Sequence, residues 1–136
     1  MVGNVLVDAG FLVALLSRRD AHHHWAVAQA ARFPPPWKTC DAALSETYHL
    51  IGQPGGAILT TLLRRRALTL PFDLDADLEP VLRFMQKYAD VPAGLADACL
   101  VRMTETLAHP ILLTTDGDFR VYRRHSRQAV PCKLPD

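Results

Sequence analysis

The sequence predicts a small α/β domain in which a parallel sheet of four to five strands carries helices on both faces. Three observations lead to this fold class. Short β-branched segments alternate with helical segments of about ten residues, a pattern typical of parallel strands joined by helical crossovers. The centre of the first strand, Val5-Leu6-Val7, is continuously apolar, as expected of a strand covered on both sides. The chain has 136 residues, a length at which domains cluster, so we expect residues 1–136 to form a single domain.

Local signals place each predicted element along the chain. Pro34-Pro35-Pro36 ends the second helix and Gln53-Pro54-Gly55-Gly56 separates the third helix from the fourth, because Pro and Gly interrupt helices. Pro92 and Gly94 precede the sixth helix. The predicted strands are Asn4–Asp8, Trp37–Cys40, Leu68–Phe72 and Pro110–Thr114, with Ala129–Cys132 as a candidate fifth. The predicted helices are Phe11–Ser17, His22–Phe33, a segment capped by Asp41 or Ser45 that runs to Gly52, Ala57–Arg66, Leu78–Tyr88 and Leu95–Leu107.

Composition excludes several classes of protein. The formal net charge of +1 is unlike that of a uniformly basic nucleic-acid binder or an acidic disordered chain. The longest apolar run, Phe11–Leu16, is far shorter than the roughly 18 residues of a membrane span. Asp8 interrupts the apolar N-terminal stretch, which argues against a secretory signal, so we expect a cytoplasmic protein without a membrane partner. Three scattered cysteines indicate no disulfide framework.

Asp8 stands where the first predicted strand ends. Ligands of open parallel sheets bind outside the carboxyl ends of the strands, at the point where the strand order reverses. A functional role for Asp8 follows from this position. The alternative is that its side chain caps the next helix, and the two roles are compatible.

Two further acids stand alone in apolar helices. Asp97 lies within Leu95–Val101, where burying an unpaired carboxylate would be very costly, so we expect it to face a cleft. The alternative is that Asp97 caps the helix N-terminus. Glu46 lies within Ala43–Ile51, and its alternative is an ordinary solvated surface position.

Asp116 and Asp118 directly follow the fourth predicted strand. Taken alone, the Asp-Gly sequence is ordinary turn chemistry. Its position after a buried strand, like that of Asp8, favours a shared site at one sheet edge. Carboxylates gathered there would repel one another, and a hard divalent cation such as Mg²⁺ or Mn²⁺ would relieve the repulsion. The set therefore predicts metal-dependent hydrolysis of phosphodiester bonds.

These segments resemble the PIN-domain family, and within it the VapC-type toxin ribonucleases. The likeness covers nearly the whole chain and consists of Val5–Leu16 followed by Asp20–Trp25, then Leu44-Ser45-Glu46, Leu95–Ala98, and Thr114–Phe119 continuing to Arg123. It implies a PIN-like three-layer sandwich and a Mg²⁺- or Mn²⁺-dependent endoribonuclease, the toxin of a toxin–antitoxin pair, with an RNA substrate, an antitoxin partner and a homodimer. The catalytic roles that it implies fall on Asp8, Glu46, Asp97 and Asp116, and the metal ligands on Asp8, Asp97, Asp116 and the accessory Asp118.

Two positions depart from the family pattern. Ala9 stands where relatives often carry a hydroxyl residue that supports the first acid, and Gly94 stands where many carry a further acid. Either change could weaken metal affinity, because partners behind a ligand orient it. Arg120 and Arg123 follow the Asp116 turn, and we expect them to contact the RNA backbone.

Two other functions compete with the nuclease. A receiver-like signalling domain also uses an acidic Mg²⁺ pocket in a small α/β fold, with a phosphoacceptor Asp after the middle strand and a late Lys. Asp73 and Lys133 would have to fill those roles, but no pair of acids follows the first strand. The second competitor is a catalytically silent PIN-like binding module, which no divalent ion would stabilise.

Overall fold

The computed structural model describes residues 3–91 and 93–136, so Pro92 lies outside it. Five parallel strands form the central sheet, in the spatial order β3-β2-β1-β4-β7. These strands are β1 (Asn4–Val7), β2 (Trp37–Lys38), β3 (Leu68–Thr69), β4 (Pro110–Leu113) and β7 (Cys132–Lys133). The predicted parallel sheet is confirmed.

Helices cover both faces of this sheet. They are α1 (Ala9–Leu16), α2 (His23–Arg32), α3 (Asp41–Ile51), α4 (Gly55–Arg64), α5 (Leu78–Lys87) and α6 (Leu95–Thr106). A short 3₁₀ turn, Gly117–Arg120, follows β4. Among residues 3–91 and 93–136, no helix combines the length and the apolar character needed to cross a bilayer.

The alternation of side chains along the central strands divides the core into two layers. Leu6 and Leu112 pack into one cluster with residues of α5 and α6, including Val81. Their neighbours Val7 and Leu113 pack into the opposite cluster with α1, α2 and α4. Because successive strand residues point to opposite faces, an apolar strand fills both layers at once. The predicted three-layer sandwich is confirmed.

Every predicted strand has a different limit in the structure, and the third and the last differ most. The third ends at Thr69, because Leu70 is exposed and Pro71 has no N–H to donate to a ladder. The last sheet strand is Cys132–Lys133, and the predicted segment Ala129–Cys132 is divided between two sheets.

The divided segment belongs in part to a hairpin. Ala129 lies in β6 (Gln128–Ala129), which pairs antiparallel with β5 (Arg123–Arg124). His125 and Ser126 form its turn with positive φ angles of 48° and 65°. These residues are not the Gly or Asn typical of such turns, so the sequence gives no hairpin signal.

The strand order fixes the position of the site. β1 connects through α1 and α2 to β2 on one side and pairs with β4 on the other, so the order reverses between β1 and β4. Counted along the chain, the parallel strands run 3-2-1-4-5, whereas the flavodoxin-like order of receiver domains is 2-1-3-4-5. Asp73 follows the edge strand β3 instead of a middle strand, which contradicts the receiver-like alternative.

Candidate active site

Asp8 lies at the carboxyl end of β1, beside the point where the strand order reverses. The Phe11 N–H donates to Asp8 Oδ1 at 2.8 Å, so this side chain caps α1. The Thr114 hydroxyl donates to Asp8 Oδ2. Only 6% of Asp8 is exposed. The cap and the position at the sheet edge therefore coexist, as the sequence allowed.

Thr114 connects the ends of the two central strands, and sequence reasoning did not identify it. Its hydroxyl oxygen also accepts a hydrogen bond of 2.9 Å from the Asp116 N–H. Thr114 thus holds Asp8 and the Asp116 turn together, from the end of β4. The sequence feature that could have identified Thr114 is its position, because it is a hydroxyl residue between a buried strand and an acidic turn. This bond gives Asp8 a hydroxyl partner even though position 9 is Ala.

Thr114→Val is expected to lower the free energy of unfolding by about 2 kcal/mol, because it leaves a buried carboxylate oxygen and the Asp116 N–H without their partner. Thr47→Val is the matched control. Thr47 is equally buried, but its hydroxyl donates only to the Ala43 carbonyl one turn earlier, at 2.7 Å. Urea unfolding of both variants measures the difference. Equal losses would contradict the bridging role of Thr114.

Asp97 lies in the first turn of α6. Gly94 occupies the N-cap position, and no side chain caps this helix. The capping alternative for Asp97 is therefore wrong. Instead, the Tyr122 hydroxyl donates to Asp97 Oδ2 at 2.9 Å.

Tyr122 is the second site residue that the sequence did not reveal. Its ring is fully buried and contacts the rings of Phe84, Tyr88 and Phe119, with centroid distances of 5.1–5.3 Å. Burial, followed by the bond to Asp97, raises the pKa of Tyr122 above its ordinary value. The hydroxyl therefore keeps its proton at neutral pH and acts as a fixed donor to Asp97.

The three remaining acids, Glu46, Asp116 and Asp118, come from α3, the end of β4 and the 3₁₀ turn. Glu46 is exposed on α3. Asp116 follows β4, and its Oδ1 accepts from the Asp118 N–H at 2.9 Å at the start of the 3₁₀ turn. Asp116 therefore stabilises the turn, as its Asp-Gly sequence suggests. Its charge also raises the pKa of Asp8 and of Asp97.

Burial and like charge act on two of these carboxyl groups. Burial, together with the charges of Asp97 and Asp116, raises the pKa of Asp8 to about 7, although the bonds from Thr114 and Phe11 oppose the shift. Burial also raises the pKa of Asp97 to about 6, aided by the charges of Asp116, Glu46 and Asp118. Asp97 thus interacts electrostatically with each of the other four predicted acids.

The chemistry of these donors fits a hard divalent cation. Five carboxyl groups supply only oxygen ligands, the type that Mg²⁺ and Mn²⁺ prefer, and like charge among them raises the pKa of Asp8 and of Asp97. Within residues 3–91 and 93–136, no three Asp, Glu, His or Cys side chains stand close enough to hold an ion directly. Both oxygens of Asp8 already accept hydrogen bonds, and so does one oxygen each of Asp97 and Asp116.

The two predicted RNA-binding arginines lie beyond the acidic turn. Arg120 is exposed at the end of the 3₁₀ turn, and Arg123 is half-buried in β5. The Arg123 Nη1 donates to the carbonyls of Arg120 and Tyr122 at 2.8 and 2.9 Å. Arg123 therefore also stabilises the segment that carries Tyr122. Contact with RNA stays a prediction for both residues.

Comparison with known proteins identifies the family. Residues 5–124 match the PIN domain, and the chain belongs to the PIN domain family. Its structure is similar to the crystal structure of VapC20 from Mycobacterium tuberculosis, which is described as a toxin that cleaves the sarcin-ricin loop. The TM-score is 0.72 at 23% sequence identity, over 87% of this chain and 94% of the VapC20 chain. This likeness confirms the fold. Comparison with curated protein sequences gives no match.

Proposed function

We propose that the chain is a divalent-metal-dependent endoribonuclease that acts as the toxin of a toxin–antitoxin pair. The observation that carries this proposal is the hydrogen-bonded link of Asp8, Thr114 and the Asp116 turn at the reversal point of the sheet, with Asp97 close enough for its charge to raise the pKa of Asp8. Membership of the PIN domain family and the likeness to the RNA-cleaving toxin VapC20 support the reaction class.

Asp8, Asp97 and Asp116 would hold the ion, with Asp118 as an accessory ligand. A bound Mg²⁺ or Mn²⁺ supplies an activated water and stabilises the charge that develops on the scissile phosphate. An opposite charge beside Asp8 and Asp97 lowers the pKa of both groups and so favours their ionised, ligating forms.

The protein side chains have separate tasks in this mechanism. Tyr122 and Thr114 fix the carboxylates of Asp97 and Asp8 by hydrogen bonds, so that each ligand keeps one orientation. Glu46 is exposed and interacts electrostatically with Asp97. From there its carboxylate can accept a proton from the attacking water or help to bind the ion.

The test is hydrolysis of a panel of structured and single-stranded RNAs with Mn²⁺, with Mg²⁺, and with EDTA. We expect cleavage with either ion, none with EDTA, and recovery when Mn²⁺ is added in excess. Cleavage that persists in EDTA would contradict the metal requirement. An intact, folded chain that cleaves no RNA with either ion would favour the catalytically silent binding module.

Partners form a separate part of the proposal. An antitoxin protein and a second copy of the chain are proposed from the resemblance to VapC-type toxins. Co-expression with any small protein that is encoded beside this gene, followed by size-exclusion chromatography with light scattering, tests the antitoxin, and light scattering of the chain alone tests the second copy. A chain that stays monomeric and unbound would contradict them while leaving the nuclease proposal intact.

A further inference from the structure

A cavity of about 470 Å³ lies between α5, α6 and the turn of the β5–β6 hairpin. Its wall is rich in basic side chains from separate elements. Arg83 and Lys87 come from α5, Arg102 from α6, and Arg123 and His125 from the hairpin. The mechanism proposed above does not use this cavity.

Three of these cations carry uncompensated charge. Arg102 is paired with Asp77 at 3.0 Å and with Glu105 Oε1 at 3.2 Å. The other oxygen of Glu105 accepts from the His125 N–H at 2.6 Å, so this carboxylate is already engaged. Within the described parts of the chain, Arg83, Lys87 and Arg123 form no ion pair. The cavity therefore presents an excess of positive charge.

Backbone carbonyls hold two of these charged groups in place without neutralising them. The Lys87 Nζ donates to the Ser126 carbonyl at 3.3 Å and lies 5.4 Å from the centre of the Tyr88 ring. The Arg123 guanidinium donates to the carbonyls of Arg120 and Tyr122. Groups held in this way lose less conformational entropy when an anion binds.

The cavity and the acidic site share one segment of the chain. Arg123 directly follows Tyr122, whose hydroxyl bonds Asp97, and the Arg123 N–H donates to the Tyr88 hydroxyl at 2.9 Å. Phe84 lines the cavity and contacts the Tyr122 ring at a centroid distance of 5.2 Å. Tyr122 and its neighbour Arg123 therefore connect the wall of the cavity to the acidic site.

We propose that this basic cavity binds phosphodiester groups of the RNA strand that flank the bond cleaved at the acidic site. The inference rests on the proposed function and adds to it a subsite for the substrate backbone. Arg guanidinium groups suit phosphate because they donate two parallel hydrogen bonds. The volume falls in the range of about 300–1,000 Å³ that is typical of small-ligand sites, enough for a nucleotide unit.

The test measures the affinity of a fluorescein-labelled 20-nucleotide oligouridine for proteins that all carry Asp97→Asn, in EDTA, so that cleavage is suppressed. Arg83→Gln/Lys87→Gln neutralises two exposed charges of the cavity. Arg64→Gln/Arg65→Gln is the matched control, with the same charge change at the exposed end of α4. Melting temperatures establish that both double variants are folded, and Arg83→Gln alone serves as a second cavity variant.

We expect the cavity double variant to bind RNA about tenfold more weakly at low salt, and the control to stay within about twofold. The slope of log affinity against log salt should decrease by about 1.4 in the cavity variant, since each single-strand phosphate contact contributes about 0.7. Equal losses in both double variants, or no loss in either, would overturn the subsite.

Two further measurements separate this inference from its alternatives. Loss of binding to a poly-glutamate peptide, with RNA affinity unchanged, would overturn the subsite in favour of an acidic protein partner. Mn²⁺-dependent cleavage by the protein with intact Asp97 is measured in parallel. If that protein cleaves RNA while the cavity variants bind as tightly as their parent, only the subsite fails. If it neither binds nor cleaves RNA, the proposed function fails first.

Discussion

Asp97→Asn is expected to reduce RNA hydrolysis by more than about a hundredfold while the chain stays folded. Even residues that only orient a metal ligand contribute about 10- to 100-fold to affinity or activity, so the loss of a ligand should exceed that range. Asn keeps an oxygen that can accept the bond from Tyr122 and removes a charge that the four other acids repel. The measurement is the single-turnover cleavage rate in Mn²⁺.

Asp75→Asn provides the matched control for this experiment. Asp75 is exposed in the loop before α5, remote in sequence from the five acids of the site. We expect its cleavage rate to equal that of the unmodified protein. A wild-type rate for Asp97→Asn would refute its assignment as a ligand, and equal losses in both variants would show that the effect is not local.

Asp8→Asn is expected to stabilise the metal-free protein at pH 8 by an amount on the order of 3 kcal/mol. Asp8 has a pKa of about 7 in the folded chain and an ordinary value of 3.8. The folded state therefore binds this proton more tightly than the unfolded state, and the wild-type protein loses stability as pH rises from about 4 to 7. Asn carries no charge at any of these pH values, so the variant does not lose this stability. A weakened hydrogen bond to the Asn side chain reduces the gain in the free energy of unfolding by about 1 kcal/mol.

Urea unfolding in EDTA at pH 4 and pH 8 measures this effect. The variant should be clearly more stable than the wild type at pH 8, and the two proteins should differ little at pH 4. A variant that is less stable at pH 8, or a difference independent of pH, would contradict the buried, repelled state of Asp8. The same variant should be inactive in RNA cleavage, so its stability and its activity change in opposite directions.

Much of the fold could be predicted because its signals are local. The apolar segment that ends at Asp8, and the segment Pro110–Leu113, each contain enough residues to show a buried strand. The two-residue strands β2 and β3 give a weaker signal, and their limits depend on pairing with a neighbour. The β5–β6 hairpin escaped prediction because His125 and Ser126 adopt left-handed conformations without the residues that normally indicate them.

The residues of the candidate site also differ in whether a local sequence signal reveals them. Asp97 and Glu46 could be found because each is a single acid in an apolar segment. Thr114 and Tyr122 could not, because their roles depend on partners 106 and 25 residues away in the sequence, which only the folded chain brings together. The basic cavity is hidden for the same reason, since α5 and the hairpin contribute its charges from separate segments.

Calorimetric titration with Mn²⁺ in the absence of RNA tests most directly whether these acids form one metal site. We predict saturable binding to the wild-type protein and an affinity at least about tenfold lower for Asp8→Asn, Asp97→Asn and Asp116→Asn alike, with Asp75→Asn unchanged. Saturable binding of equal strength in all five proteins, or no binding to the wild type, would contradict the shared site.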